Sequence, residues 1–364
     1  IAFRGEEVLG SNAAGVYGLG VQPSSTQSKE ATVVTTPWFF NADIKPTNVS
    51  LVVPLTTLNS HLANNEIADP KKDLAEAKRL TNLISNQDAS KISWLQDAAL
   101  LPWLDQLEAS ADSDVPAKLR TALAGLAPTT PMLPFGHTDL TALFRANLQA
   151  DLTDAINQTR ALSADRQIIY APNQGIADRQ TVSLLNQQGI RALVSNEFLR
   201  GNERETTSAV VTSASNPVLV HDLAASSCLI GSDESAAAFF KTVTCIKSEI
   251  GMITAESPQK SRSIIVLAPN TWKVSSDQLS KLIAGLSEHN WMQLAQLDLV
   301  AATKPTQNFV SLVGDNQNQL ARQTIRQADK LSTQTETFSS VFIDGELVAG
   351  FNASRILGFS ELWG

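Results

Sequence analysis

The sequence predicts an α/β protein built around a (β/α) barrel of seven or eight strands, and three observations carry that expectation. From Val49 onward, short apolar runs alternate with amphipathic stretches of helical period. The runs are almost continuously apolar, which marks strands covered on both faces of a parallel sheet. The alternation fills residues 47–304, a span of barrel size. An open doubly wound sheet is the competing arrangement.

Residues 1–46 form an N-terminal β segment and linker, with GVYGLGV and ATVVTT as strands. Gly15, Gly18 and Gly20 imitate a phosphate loop, but no helix follows them, so a nucleotide site is rejected. The barrel strands are then SLVVPL (50–55), KISWLQD (91–97), TPMLPFG (130–136) and QIIYAP (167–172). They continue with IRALVSN (190–196), PVLVHD (217–222), SIIVLAP (263–269) and WMQLAQLD (291–298). Between them, Leu74, Ala77, Leu80 and Ile84 share one helix face, and Leu140, Leu143, Phe144 and Leu148 share another. Leu184 and Leu185 precede Gly189, a helix-stop residue, and Leu279, Leu282, Ile283 and Leu286 mark a later helix. Residues 305–364 form a C-terminal helical segment. Leu320, Ile325, Ala328 and Leu331 are partly in register there, and helix is preferred over a hairpin at Asp344-Gly345.

Composition removes several function classes. Only 18% of residues are charged, which excludes a disordered polyelectrolyte. Acidic residues outnumber basic ones, 36 to 28, and no basic block occurs, so no nucleic-acid partner is expected. No apolar run approaches the roughly 18 residues of a membrane span. The chain opens at Ile1 without a signal-peptide pattern, as a mature or trimmed fragment would. Two cysteines and four histidines leave little material for a metal site with soft ligands. Cys228 and Cys245 are either two buried thiols or one disulfide closing a short loop, and spacing leaves both open.

In a barrel, the residues just after each strand form the upper face. Those positions hold Thr56, Asp97, His137 with Asp139, Asn173 with Gln174, and Asn196 with Glu197. They continue with His221 and Asp222, Asn270 and Asp298. Helix caps and turns favour the same residue types, so each position alone has a structural explanation; Asp139 in GHTD (136–139) suits a cap for the helix after it. Three chemistries fit the set. Asp97 or Asp139 with Glu197 would make a glycosidase pair at about 5–9 Å. His137, His221, Asp139 and Asp222 would make a metal site, though no H-x3-H, H-x-H or HExxH spacing supports it. A polar mouth edged by Trp94, Trp103, Phe135 and Trp272 would bind a glycan or a protein, each aromatic being more at home in the core. A G-x-S-x-G elbow and a P-loop are both absent from the sequence.

SLVVPLTTL, KISWLQDAALL, PMLPFGHTDLTALFRANL and IIYAPNQGIADRQTVSLLNQQGIRALVS occur in an order that resembles one family. TTPWFF before the barrel and RILGFSELW at the end extend the likeness. This is similar to the large actinobacterial envelope proteins of unknown function encoded beside the lipid II flippase. The resemblance implies a secreted protein anchored by a C-terminal membrane helix that lies outside this chain. It also implies a barrel like those of polysaccharide deacetylases and related glycosidases, and favours the Cys228–Cys245 disulfide. The chain departs from the deacetylase pattern, since Pro-Leu-Thr-Thr (54–57) stands where a pair of aspartates would. The family's Asp-Pro reads Asp97-Ala98, and its first motif aspartate reads His137.

These departures lead to an expectation of a non-catalytic envelope barrel, without cofactor or metal. It would bind a cell-wall glycan, or a membrane partner such as the flippase, in peptidoglycan or envelope assembly. Candidate ligand-binding residues are Asp97, His137, Asp139, Asn173, Gln174, Glu197, His221, Asp222 and Trp272. An active glycoside hydrolase or deacetylase on a cell-wall polysaccharide, using Asp97, Asp139 or Glu197, is the alternative. A barrel serving only as a spacer is the plainest reading.

Overall fold

The computed structural model describes residues 15–21, 32–39, 43–57, 69–86, 88–163, 165–200, 206–213, 216–232, 235–270, 272–305, 308–309, 311–312 and 345–361, with short helical pieces between 325 and 337. Two strands, β1 (Gly15–Val21) and β2 (Thr32–Trp38), form an antiparallel hairpin. It rests on the helix Ala236–Glu256, where a Cβ on Gly251 would come 2.7 Å from the Pro37 ring. The strands that follow are β3 (Thr47–Leu55), β4 (Ser93–Asp97), β5 (Met132–Leu133), β6 (Ile169–Tyr170) and β7 (Arg191–Ser195). After them come β8 (Leu199–Arg200), β9 (Val210–Ser213), β10 (Asn216–His221), β11 (Ser263–Leu267) and β12 (Met292–Leu294).

Seven of these strands make a nearly closed parallel barrel. β3 pairs with β4, β4 with β5, β6 with β7, β7 with β10, β10 with β11, and β11 with β3. The ring closes through a single parallel bridge, Met132 to Ile168. Alternation along each strand then sorts the side chains. Val49, Leu51, Val53 and Leu55 of β3 point outward into the helix layer. Val52, Leu95, Leu133, Ile169, Leu193, Leu219 and Ile265, one from each barrel strand, fill the interior. That is why the runs look continuously apolar: both faces are buried.

The last apolar run, 291–298, takes a different place from the one expected. β12 lies beside the N-terminal end of β3, from Met292 opposite Thr47, whereas β4 begins pairing only at Val52. The short helix Leu297–Ala301 then turns under the barrel and adds Leu297, Val300 and Ala301 to the interior cluster. Its first amide donates to Ser93 Oγ at 2.7 Å, and Arg191 donates to Ala301 O at 3.0 Å. The lower end of the barrel is thereby plugged.

Beyond Lys304 the sequence predicts helix and no further strands, yet two more short strands occur. β13 (Asn308–Phe309) runs parallel to β9, and β14 (Ser311–Leu312) pairs antiparallel with β8. Two-residue strands carry too little pattern to be seen in sequence. Leu320, Ala328 and Leu331 of the expected helical segment lie outside the described residues, as does Asp344 of the alternative hairpin. Gly345–Leu357 is helical, and its Ile356 and Leu357 pack with Leu152, Ile156 and Phe135. Arg355 fixes this helix to Gln149–Ser163 through Asp151, 3.5 Å from its Nε, and through Asp154. Cys228 and Cys245 form a disulfide with a Cα separation of 5.8 Å, tying the turn after helix Leu223–Ser227 to helix Ala236–Glu256. Among the described residues no helix is long and apolar enough to cross a membrane.

Candidate functional site

The C-terminal ends of the barrel strands define the mouth. Asp97 continues the inward row of β4 after Leu95, and His221 continues that of β10 after Leu219. Asp97 is completely buried, and its Oδ1 accepts the amides of Ala99 (2.8 Å) and Gly136 (2.9 Å). Asp139 caps the helix Leu140–Arg145 by accepting from Ala142 N at 2.8 Å. Both carboxylates therefore hold turns in place.

The C-terminal segment covers this side of the mouth. Ser360 bridges Thr138 in antiparallel fashion, and Asp139 N donates to Phe359 O at 2.9 Å. Phe359 is buried among the apolar residues beneath, which directs Glu361 into the mouth. Its Oε1 accepts from the Tyr170 hydroxyl at 2.8 Å, and its Oε2 accepts from Asn173 N. The Tyr170 oxygen also stands 3.2 Å from Asp139 Oδ1 and 3.0 Å from Thr141 Oγ1. His137 Nδ1 lies 3.3 Å from Glu361 Oε2, at ion-pair distance but out of line for a hydrogen bond.

Electrostatics follow from this packing. Burial disfavours a charged His137, but Glu361 close by, and then Asp97 and Asp139, outweigh it and raise the imidazole above its ordinary value. Burial first, then the charges of Glu361 and Asp139, push the Tyr170 hydroxyl well above the usual range for tyrosine. The turn itself is held in uncommon backbone geometry: Gly136 has φ 61° and His137 has φ 52°. A side chain other than glycine in that region costs about 1–3 kcal/mol, so packing must hold His137 there.

The other side of the mouth is open. A cavity of about 570 Å³ sits at the ends of β6, β7, β10 and β11, and Asn173, Glu197, His221, Asn270, Trp272 and Glu361 are among its walls. His221 is 4% exposed, and burial lowers its pKa to about 4, so the ring is neutral. Its Nδ1 lies 3.3 Å from Ser226 Oγ, which accepts from Leu267 N at 3.0 Å. Among the described residues its Nε2 has no hydrogen-bond partner. Gly175 backs this nitrogen at φ 71°, and a Cβ there would come 2.6 Å from it. The site therefore requires glycine for space as well as for conformation.

The remaining expected residues divide between structural and cavity positions. Asp222 caps helix Leu223–Ser227 through Ala225 N (2.9 Å) and accepts from Asn196 Nδ2 at 2.8 Å; burial raises its pKa. Glu197 is exposed on the cavity wall. Gln174 sits in the turn Asn173–Gly175, and its side chain lies outside the described residues. Thr56 donates to Asn270 O at 2.8 Å. Trp272 borders the cavity but donates to Ser232 Oγ at 2.7 Å and is a core residue, as are Trp94, Trp103 and Phe135. Asp298 belongs to the plugged lower end instead, because β12 runs beside the start of β3.

Asp97 and Asp139 are covered by the tail, whereas Glu197 faces the open cavity, so neither expected pair shares that space. The acid that does share it is Glu361, which sequence reasoning missed. A usable signal was present: one carboxylate in the apolar tail GFSELW must find partners once buried. Among the described residues, no three His, Cys, Asp or Glu side chains gather as a metal site.

A family model covers residues 8–355, that of DUF6049, a family of unknown function. The chain belongs to this family. No curated protein matches it. In structure, it is similar to the 4-alpha-glucanotransferase from Thermococcus litoralis, at 12% identity and a TM-score of 0.47. The match covers 82% of this chain and 48% of that one, so this member of DUF6049 spans about half the enzyme's length.

Proposed function

We propose that this DUF6049 chain is an extracytoplasmic envelope protein whose barrel binds without cutting. Its ligand is a cell-wall glycan, or a membrane protein of peptidoglycan assembly such as the lipid II flippase. One observation carries the non-catalytic reading. The carboxylates at the β4–β5 side are spent on backbone amides and roofed by the C-terminal segment. A general acid must reach the scissile bond, and a covered cap cannot. The Cys228–Cys245 disulfide suits an oxidising compartment. The envelope, peptidoglycan and flippase assignments come from the order of the sequence motifs.

Incubation with solubilised peptidoglycan fragments tests the reading. Saturable binding without new reducing ends is expected. The opposing reading is a glycoside hydrolase, and it is favoured by Glu197 and Glu361 lining one cavity. Turnover abolished by Glu197→Gln would establish that hydrolase and end the non-catalytic proposal.

A further inference from the structure

We infer that the open cavity at the ends of β6, β7, β10 and β11 recognises an uncharged saccharide through Nε2 of His221. This rests on the binding reading above and gives it a ligand class. His221 is 4% exposed, its ring is held from the Nδ1 side by Ser226, and its other nitrogen is unpartnered among the described residues. Buried polar atoms are nearly always satisfied, so such an atom in a residue that lines a cavity points to something that enters the cavity. The partner requirement holds in both tautomers. If Ser226 donates to Nδ1, then Nε2 carries the proton and needs an acceptor; if Nδ1 donates to Ser226, Nε2 needs a donor. A sugar hydroxyl supplies either.

Charge narrows the class further. Among the described residues no lysine or arginine lines the cavity, while Glu197 and Glu361 do. An anionic ligand would meet two carboxylates and no compensating cation. A neutral imidazole offers a phosphate or uronate only one hydrogen bond. The volume of about 570 Å³ lies within the range of roughly 300–1,000 Å³ that holds a compact ligand. The exposed Ile230 and the ring of Trp272 add apolar wall beside these polar groups, the mixture that a pyranose with C–H and O–H faces fits.

The full chain, labelled with nitrogen-15 in histidine, is titrated with three neutral trisaccharides, chitotriose, cellotriose and maltotriose, and with trigalacturonate. At least one neutral sugar is expected to saturate and to move the His221 Nε2 resonance. Trigalacturonate should bind at least ten-fold more weakly. His221→Ala should weaken the neutral sugar at least ten-fold. Glu197→Lys, at an exposed position, should keep the fold and bring trigalacturonate closer to the neutral sugar. No response of His221 to any of the three sugars, or equal affinity in His221→Ala, overturns the inference. Cleavage of a sugar bound at His221 would instead overturn the non-catalytic reading and leave the inference standing. Capture of an envelope protein with no sugar response would do the reverse.

Discussion

His137 and His221 both stand at the barrel mouth, the first in the turn after β5 and the second at the last position of β10, and both are almost wholly buried, yet their surroundings drive them apart. His137 faces Glu361, with Asp97 and Asp139 nearby, and its proton is favoured. Among the described residues no carboxylate raises His221, and desolvation lowers its pKa to about 4. The first sits under the C-terminal segment, with Glu361 at ion-pair distance but neither ring nitrogen hydrogen-bonded among the described residues, and it is not among the walls of the open cavity. The second lines the open cavity, with its Nε2 left over among the described residues. Burial alone therefore does not mark a functional site at a barrel mouth. An unmet hydrogen bond alone does not either, since both imidazoles have one; its coincidence with the open cavity at His221 separates a half that holds structure from a half available to a ligand.

The comparison breaks most readily at Glu361. Glu361→Ala removes the acceptor of the Asn173 amide, one of the acceptors of the Tyr170 hydroxyl and the carboxylate at ion-pair distance from His137. Removing one partner of a buried pair costs about 3–5 kcal/mol, so urea unfolding of this variant should show a loss of that order. Glu361→Gln keeps an acceptor for Tyr170 and should lose less. A loss below about 1 kcal/mol in Glu361→Ala would mean that the tail does not hold the covered half. Reduction of Cys228–Cys245 comes next. Leu229, Ile230 and Gly231, which follow Cys228, wall the open cavity. Releasing a loop of this length should cost about 3 kcal/mol. Saturable sugar binding should weaken along with the unfolding midpoint.

Acid and alkali should separate the two histidines. The lowered pKa of His221 means that its contribution is complete above the ordinary 6.5 and fades as pH falls toward about 4. The loss by the acid end is about 3 kcal/mol, since each pKa unit corresponds to about 1.4 kcal/mol. His137 is raised, so its contribution is complete below 6.5 and fades as pH climbs through its folded value. Urea midpoints from pH 4 to 8 should therefore flatten on the acid side in His221→Gln and on the other side in His137→Gln. Equal pH curves for the two variants would contradict the contrast.

Sequence made the barrel legible because burial on both faces writes continuous apolar runs, and seven of the eight marked runs became its staves. The eighth, 291–298, looked the same because Met292 and Leu297 are also buried, though alongside and beneath the ring. Periodicity reports burial and not position. The same limit applied at the mouth. His221, Glu197 and Asn173 could be placed by their position after a strand, whereas Glu361 arrives from the far end of the chain through a long-range pairing with Thr138. The likeness of Asp97, Asp139 and Asp222 to catalytic acids has a physical origin too. A short turn after a parallel strand must satisfy its amides, and aspartate does so.

The smallest stability effect should come from Glu197, and it sharpens the contrast with Glu361. Both carboxylates line the same cavity, but Glu197 is exposed, and Glu361 is 7% exposed with two hydrogen-bonded oxygens. Surface substitutions away from packed features usually stay within about 0.5 kcal/mol, so Glu197→Gln should leave the urea midpoint where it is. Its ligand behaviour should nevertheless change, because removing that charge lessens the penalty on an anionic sugar. A variant that alters selectivity without altering stability separates a ligand-facing acid from a fold-holding one. A large drop in the midpoint of Glu197→Gln would place Glu197 with Glu361 among the groups that hold the mouth together.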